Sequence, residues 1–309
     1  MLVLTDKMIS SFAEAEWMSF DLSELALDKT KAVESIQTAL SKAYIGLNRQ
    51  STKEKRHQRF QIPDTGPEEY AERLIDLGSA GAVICGIRHL NLNPARPFIE
   101  LRANFSLSGP DEVRALSNRV APYFTAFDPK WIAVHARQPM GAESRNVYMV
   151  QRARVIQAMP AWPAEADIEL RAVSGQGYFE AYRAGYVAFH ERNSHLADSV
   201  PANPLEVMEE SREAGLLYAL VLDGRSAGLI AAVRADFLGH PGLYFNEIFI
   251  SPPFTGKGLA KAFQRKFIAE KGSSDAIVWG TIAARNLPSY KTAIANQRRA
   301  IQYESFVQI

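Results

Sequence analysis

The sequence predicts an α/β (α+β) chain of two domains, and three features carry that expectation. Apolar runs of strand length alternate with stretches of helical periodicity along most of the chain. Residues 216–222 (LLYALVL) and 227–235 (AGLIAAVRA) flank Asp223-Gly224, the signature of a tight turn between antiparallel strands. Residues 242–272 read as strand, glycine loop and helix in immediate succession. A chain of 309 residues is long enough to bury two cores.

Taken in order, residues 1–80 read as mainly helical, with apolar residues at helical spacing over 27–45. The basic stretch 49–60 (RQSTKEKRHQRF) is either a solvated loop or helix face, or a basic lip for a phosphate. Thr65 is a candidate cap for a helix that begins with Glu68 and Glu69 in its first turn. Strands are expected at 82–88, 97–105, 131–137 and 146–155, with a helix from 110 to about 124. The segment 159–166 (MPAWPAEA) reads as a linker between domains 1–158 and 167–309, or as an ordered segment that packs Trp162 on a neighbour. The second domain then runs as strand 167–173, helix 178–191, a long polar loop 190–204, helix 205–214 and the hairpin. Strand 243–250, the glycine loop, helix 259–271, strand 276–282, a helix from 286 to about 295 and strand 300–309 complete it.

Strand 243–250 is expected to place Leu243, Phe245, Glu247 and Phe249 on one face and Tyr244, Asn246, Ile248 and Ile250 on the other. Pro252 and Pro253 end it, because proline cannot donate to a ladder. Gly256 and Gly258 follow and admit close approach to the backbone. The next helix carries Leu259, Ala262, Phe263 and Phe267 on its buried stripe, with Lys261, Gln264, Arg265 and Lys266 turned away. Free N–H groups of the loop and a helix N-terminus converge there, a combination that favours phosphate.

Composition narrows the function. With 35 basic and 34 acidic residues the net charge is +1, so no basic field is available for nucleic acid. Cys85 is the single cysteine, which excludes an internal disulfide and a cysteine-rich zinc site. It is expected in the core. His57 and His89 have no ligand-type neighbour at metal spacing, and His190 and His195 lack a third ligand, so no metal is expected. His135 reads as a satisfied strand histidine. The N-terminus has no basic signal-peptide region and no apolar run is long enough to span a bilayer, so the expectation is a cytoplasmic protein without a membrane partner.

The loop is not a nucleotide P-loop, which needs four residues between its glycines followed by Lys and Ser/Thr, nor a dinucleotide fingerprint, which needs glycine where Lys261 stands. Instead, residues 253–260 (PFTGKGLA) resemble the Arg/Gln-x-x-Gly-x-Gly/Ala signature of the GNAT superfamily of acyl-CoA-dependent N-acyltransferases. Asn286, Ser289 and Tyr290 resemble that family's second cofactor segment, and the element order over 167–309 is similar to its fold. The resemblance implies a GNAT-like mixed, mostly antiparallel central sheet flanked by helices. Residues 82–137 follow a fainter version of the same order, so the first domain is a degenerate GNAT-like half or an unrelated α/β domain.

The implied activity is transfer of an acetyl group from acetyl-CoA to the primary amine of a small acceptor; the alternative is a non-catalytic acyl-CoA-binding or regulatory module. The implied cofactor contacts are Phe249, Ile250, Thr255, Gly256, Lys257, Gly258, Leu259, Ala260, Asn286 and Ser289. Glu247, a carboxylate on a greasy strand, is the candidate general base, or else the ion-pair partner of Arg234. Tyr290 is the candidate acid for the departing thiolate. Three departures stand out: Pro253 replaces the family's Arg/Gln, Thr255 replaces the usual Arg, and Ala293 stands where the family's acid tyrosine often lies. The sequence leaves monomer and homo-oligomer open.

Overall fold

The structure, a computed structural model, describes residues 4–141 and 143–309. Its elements in chain order are α1 (Asp6–Met18), α2 (Lys29–Asn48), α3 (Gln50–Phe60), β1 (Arg73–Asp76), β2 (Ala82–His89), β3 (Pro97–Ala103), α4 (Pro110–Val120), β4 (Trp131–Ala136) and β5 (Glu143–Arg152). There follow α5 (Ala153–Gln157), β6 (Ile168–Ala172), α6 (Tyr178–Arg192), α7 (Leu205–Glu213), β7 (Leu217–Leu222), β8 (Arg225–Arg234), β9 (Gly242–Ile250), α8 (Leu259–Lys271), β10 (Ile277–Ala283), α9 (Leu287–Ala295) and β11 (Arg299–Gln308). They form two compact units: residues up to Asn146 together with Ile301–Ile309, and Val147–Ala300. The division falls elsewhere than the expected 1–158 and 167–309. The last strand of the chain belongs to the first unit, where it pairs antiparallel with β4, and most of β5 lies in the second.

The first unit orders its strands β1-β2-β3-β4-β11. The run AVICGIR is almost wholly buried as β2, so it reads as an apolar run rather than an alternating strand. β1 to β3 form an antiparallel meander, α4 crosses over, and β4 lies parallel to β3 through the pairs Ile99–Ile132 and Glu100–Ala133 alone. Thr5 and Asp28 cap α1 and α2 by accepting from Met8 N and Lys31 N. Strand β1 falls within the stretch that reads as helical. Thr65 does not act as a cap; its hydroxyl donates to Ile62 O, and Pro67–Tyr70 is a single 3-10 turn. The basic stretch is helix α3, and two of its cations are engaged internally: Lys53 with Glu68, and Arg56 with the carbonyls of Tyr70 and Ile87.

The second unit orders its strands β5-β10-β9-β8-β7-β6. β6 to β9 form an antiparallel meander. The hairpin turn falls at Asp223 and Gly224, both with positive φ as a two-residue primed turn requires. α8 crosses over to β10, which lies parallel to β9. Each unit is therefore a mixed, mostly antiparallel sheet with helices packed on it, the fold class that the sequence predicts.

Two packing layers cover the second sheet. Phe263 and Phe267 of α8 cluster with Phe245, Ile230 and Val278 of the sheet, while Tyr182 and Tyr186 of α6 and Met208 of α7 cluster with Leu229 and Phe249. Each such apolar side chain contributes about 1.5–3 kcal/mol on full burial. The faces of β9 differ from the regular pleat expected. Ala231 pairs with Glu247 but Ala232 with Phe245, so Asn246 is an extra residue, a bulge. Leu243 and Phe245 therefore face α8, whereas Glu247 and Phe249 face α6. On α8, Gln264 and Arg265 are buried rather than turned away. Arg265 pairs with buried Glu165 at 2.8 Å and donates to Met159 O and Gln157 O, so 159–166 packs within the second unit instead of serving as a free linker. Trp162 donates its indole N–H to Asn296 at 3.0 Å.

Candidate functional site

β9 carries the candidate site at both ends of its second half. The bulge at Asn246 turns Glu247 beneath α6, where the residue is only 8% exposed. Oε2 accepts from Tyr182 Oη at 2.5 Å, Tyr186 Oη at 2.8 Å and Asn203 Nδ2 at 3.3 Å. Oε1 accepts from Ile248 N at 2.9 Å. Among the described residues Oε1 has no second donor. Tyr182 and Tyr186 sit one helical turn apart, so α6 presents both phenols to one oxygen. Asn203, on the polar loop before α7, locks the arrangement: its N–H donates to Tyr182 Oη and its amide also donates to Asn246 O.

Burial raises the Glu247 carboxyl above the usual range, and the hydrogen bonds from both tyrosines work against that rise. Burial, and next the charge of Glu247, drive both phenols above the ordinary tyrosine value, so they remain donors at neutral pH. Arg234 is not the partner of Glu247; it is exposed, and its register places it opposite Leu243. Sequence reading missed Tyr182, Tyr186 and Asn203. Tyr182 and Tyr186 stand four apart among other aromatics, which reads as an apolar helix stripe, and nothing local marks Asn203.

The second feature begins where β9 and β10 part. Their parallel ladder covers Gly242–Ile277, Leu243–Val278 and Tyr244–Trp279 and then stops, although both strands continue. From Phe245 to Ile250, a stretch that includes Phe249, the β9 edge facing β10 has no strand partner among the described residues. The strand then enters the glycine loop. Gly256 and Gly258 adopt φ of +80° and +72°, a region that L side chains enter only with strain. Among the described residues the N–H groups of Gly256, Lys257 and Gly258 have no partner. α8 starts at Leu259 with Gly258 as its cap and no side-chain cap bond. The first-turn N–H groups, including those of Leu259 and Ala260, have no intrahelical acceptor.

A Cβ at Gly256 would meet nothing within 4 Å, so the loop faces open space. Arg225 and Lys257 both lie against the Phe254 ring, at 5.3 and 5.7 Å, and add positive charge beside it. The Thr255 hydroxyl donates to Pro252 O and so belongs to the turn. Free N–H groups, a helix N-terminus and two cations make an anion cradle that suits a pyrophosphate.

Asn286 caps α9: its Oδ1 accepts from Ser289 N at 3.3 Å. Tyr290 is half-buried in the first turn of that helix and is not among the hydrogen-bond partners of Glu247. Among the described residues no cluster of His, Cys, Asp and Glu could hold a metal, and no helix is long and apolar enough to cross a membrane. Cys85 is buried, and burial pushes its thiol up to about 12.

No model of a protein family matches this sequence, and no curated protein matches it. In three dimensions the chain is similar to a GCN5-related N-acetyltransferase from Sphaerobacter thermophilus, with TM-score 0.46, 12% identity, and coverage of 83% of this chain and 90% of that one. It is also similar to a tandem GNAT protein from the clavulanic acid biosynthesis pathway, with TM-score 0.42, 13% identity, and coverage of 98% and 95%. A GCN5-related N-acetyltransferase from Kribbella flavida gives TM-score 0.42 and 13% identity, covering 75% and 89%.

Proposed function

We propose that the second unit binds an acyl-coenzyme A and transfers its acyl group, acetyl in the simplest case, to the primary amine of a small acceptor. One observation carries the reading: among the described residues, the unpaired edge of β9 runs directly into a loop of unpartnered N–H groups and a helix N-terminus with no side-chain cap. A pyrophosphate at the loop and an amide-bearing arm along the strand edge would satisfy both sets of backbone groups at once. The loop residues 255–260 and the edge at Phe249 and Ile250 are the proposed contacts, with Asn286 and Ser289 holding α9 in place beside them.

The bound thioester supplies an activated carbonyl carbon. The chain supplies the proton handling. The amine forms a C–N bond with that carbon as the C–S bond breaks, and the amine proton passes to Glu247 Oε1, the oxygen with no second donor among the described residues. A carboxylate raised by burial suits proton removal near neutral pH. Tyr290 is the proposed donor to the departing thiolate, since among the described residues its hydroxyl makes no hydrogen bond and the side chain is only half-buried.

Melting temperatures with coenzyme A, acetyl-CoA and ATP test the binding step, because a ligand of the native state raises the transition. Coenzyme A is expected to raise it and ATP to leave it unchanged; the reverse overturns the reading in favour of a nucleotide site. Release of free thiol from acetyl-CoA with a panel of amines tests transfer. A second reading, an acyl-CoA-binding module without turnover, is favoured by the enclosure of Glu247 Oε2 by three donors and by Ala293 at the family's tyrosine position. It predicts the same melting shift with no thiol release.

A further inference from the structure

Arg298, just beyond α9, is 2% exposed. Its Nη2 donates to Met149 O at 2.8 Å, and its Nε–H has no acceptor. Its Cζ lies 5.6 Å from the centroid of the Phe245 ring. Burial lowers the guanidinium to about 10, which leaves it charged at neutral pH, and Tyr244 is the one group whose charge works in the opposite direction. No carboxylate among the described residues pairs with it. Arg265, the other deeply buried arginine of this unit, shows the contrast: Glu165 meets it at 2.8 Å and main-chain carbonyls take its remaining donors. A buried cation is costly unless it is paired, and among the described residues the charge of Arg298 is offset only by a main-chain carbonyl and an aromatic ring.

Its position bears on what could pair with it. Gly280 follows Trp279, the last β10 residue laddered to β9. A Cβ at Gly280 would stand 3.3 Å from Arg298 Nη2 and 3.4 Å from Phe245 O. The guanidinium therefore packs closely against the β10 backbone at the residue that follows the end of its ladder with β9. We infer that Arg298 is the receptor for a carboxylate borne by the small ligand that enters between β9 and β10. The inference rests on the reading that the acyl donor lies along this edge, and it names what the ligand carries: a carboxylate at the end of the acyl group, as in a malonyl or succinyl thioester, or the carboxylate of an amino-acid acceptor. A guanidinium fork matches a carboxylate in shape as well as charge, and a lysine ammonium does not.

The experiment has two arms. In the first, kcat/KM and melting shift are measured with acetyl-, malonyl- and succinyl-CoA. In the second, acetyl-CoA is held fixed and β-alanine is compared with propylamine, and glycine with methylamine. At least a tenfold preference for the carboxylate-bearing member is expected in one arm, falling below twofold in Arg298→Gln. Arg298→Lys keeps the charge without the fork and is expected to lie between the two. No preference in either arm with the unaltered protein overturns the inference and needs no variant. So does a preference that persists in folded Arg298→Gln. If coenzyme A itself produces no melting shift, the acyl-transfer reading fails separately. The inference is then decided by free succinate and β-alanine: a saturable shift that Arg298→Gln removes supports it, and no shift overturns it.

Discussion

Replacing Glu247 by Gln separates the two roles that this carboxylate can play. The structure sets the size of each effect. Glutamine has one acceptor oxygen, whereas Glu247 accepts from Tyr182, Tyr186 and Asn203 on Oε2 and from Ile248 N on Oε1. The amide orients its oxygen toward the three donors, which leaves its NH2 group against the Ile248 N–H. One buried backbone donor is lost, at a cost of about 1–2 kcal/mol in stability. If Glu247 takes the amine proton, the rate falls by about 10²–10⁴, equivalent to about 3–5 kcal/mol in the barrier. The acid-side limb of the pH–rate profile, set by a carboxyl raised above its ordinary value, is expected to vanish with it. Stability carries a second signature. The folded carboxyl has a raised pKa, so its contribution is full below about 4.5 and is lost as pH rises through the folded value. That dependence is absent in the variant. The measurements are urea unfolding against pH and thiol release against pH. A Glu247→Gln protein that folds, binds coenzyme A and turns over at the original rate with the original profile removes Glu247 from the chemistry and leaves it a structural hub.

Three further outcomes are expected. Gly256→Asp places a negative charge in a loop with open space around it, so the fold survives with about 1 kcal/mol of backbone strain while coenzyme A affinity falls at least about tenfold; calorimetric titration that finds unchanged affinity refutes the cradle. His89 is buried against Phe60 with both ring nitrogens unpartnered among the described residues, and burial pushes it down to about 4 from 6.5. Its stabilising contribution is present above pH 6.5 and is lost as pH falls toward about 4, up to about 3 kcal/mol, a loss that His89→Leu should abolish in hydrogen exchange of the β2 amides. Glu165→Ala strands the Arg265 guanidinium in the core and should cost about 3 kcal/mol in urea unfolding, with the double change to apolar residues recovering much of that loss.

Much of this architecture is written locally, and what is local is legible in the sequence. Asp223-Gly224 dictates a primed turn whatever surrounds it, because positive φ at two successive positions suits few other pairs. The strand–loop–helix around Gly256 and Gly258 follows from two residues that enter the left-handed region without strain and from an apolar stripe at helical spacing. Only the tertiary structure decides what faces what. A regular pleat would place Glu247 beside Phe245; one extra residue at Asn246 moves it to the other face, and a bulge arises from pairing with β8 rather than from its own residue. Gln264 and Arg265 look like solvent-facing polar residues on α8 until Asn296 donates to Gln264 and 159–166 supplies Glu165 and Met159 O to Arg265. Likewise β11 has strand periodicity in the sequence, but its partner β4 lies more than a hundred residues earlier, and no local signal names it. The sequence by itself determined most of the strands and helices and the strand–loop–helix at Gly256 and Gly258, though not β1 or the helix at 153–157, because torsional preference and hydrophobic period act over a few residues. The tertiary structure alone decided the enclosure of Glu247 by Tyr182, Tyr186 and Asn203 and the burial of Arg298 against a main-chain carbonyl and an aromatic ring, because burial and hydrogen-bond partners are properties of neighbours distant in the chain.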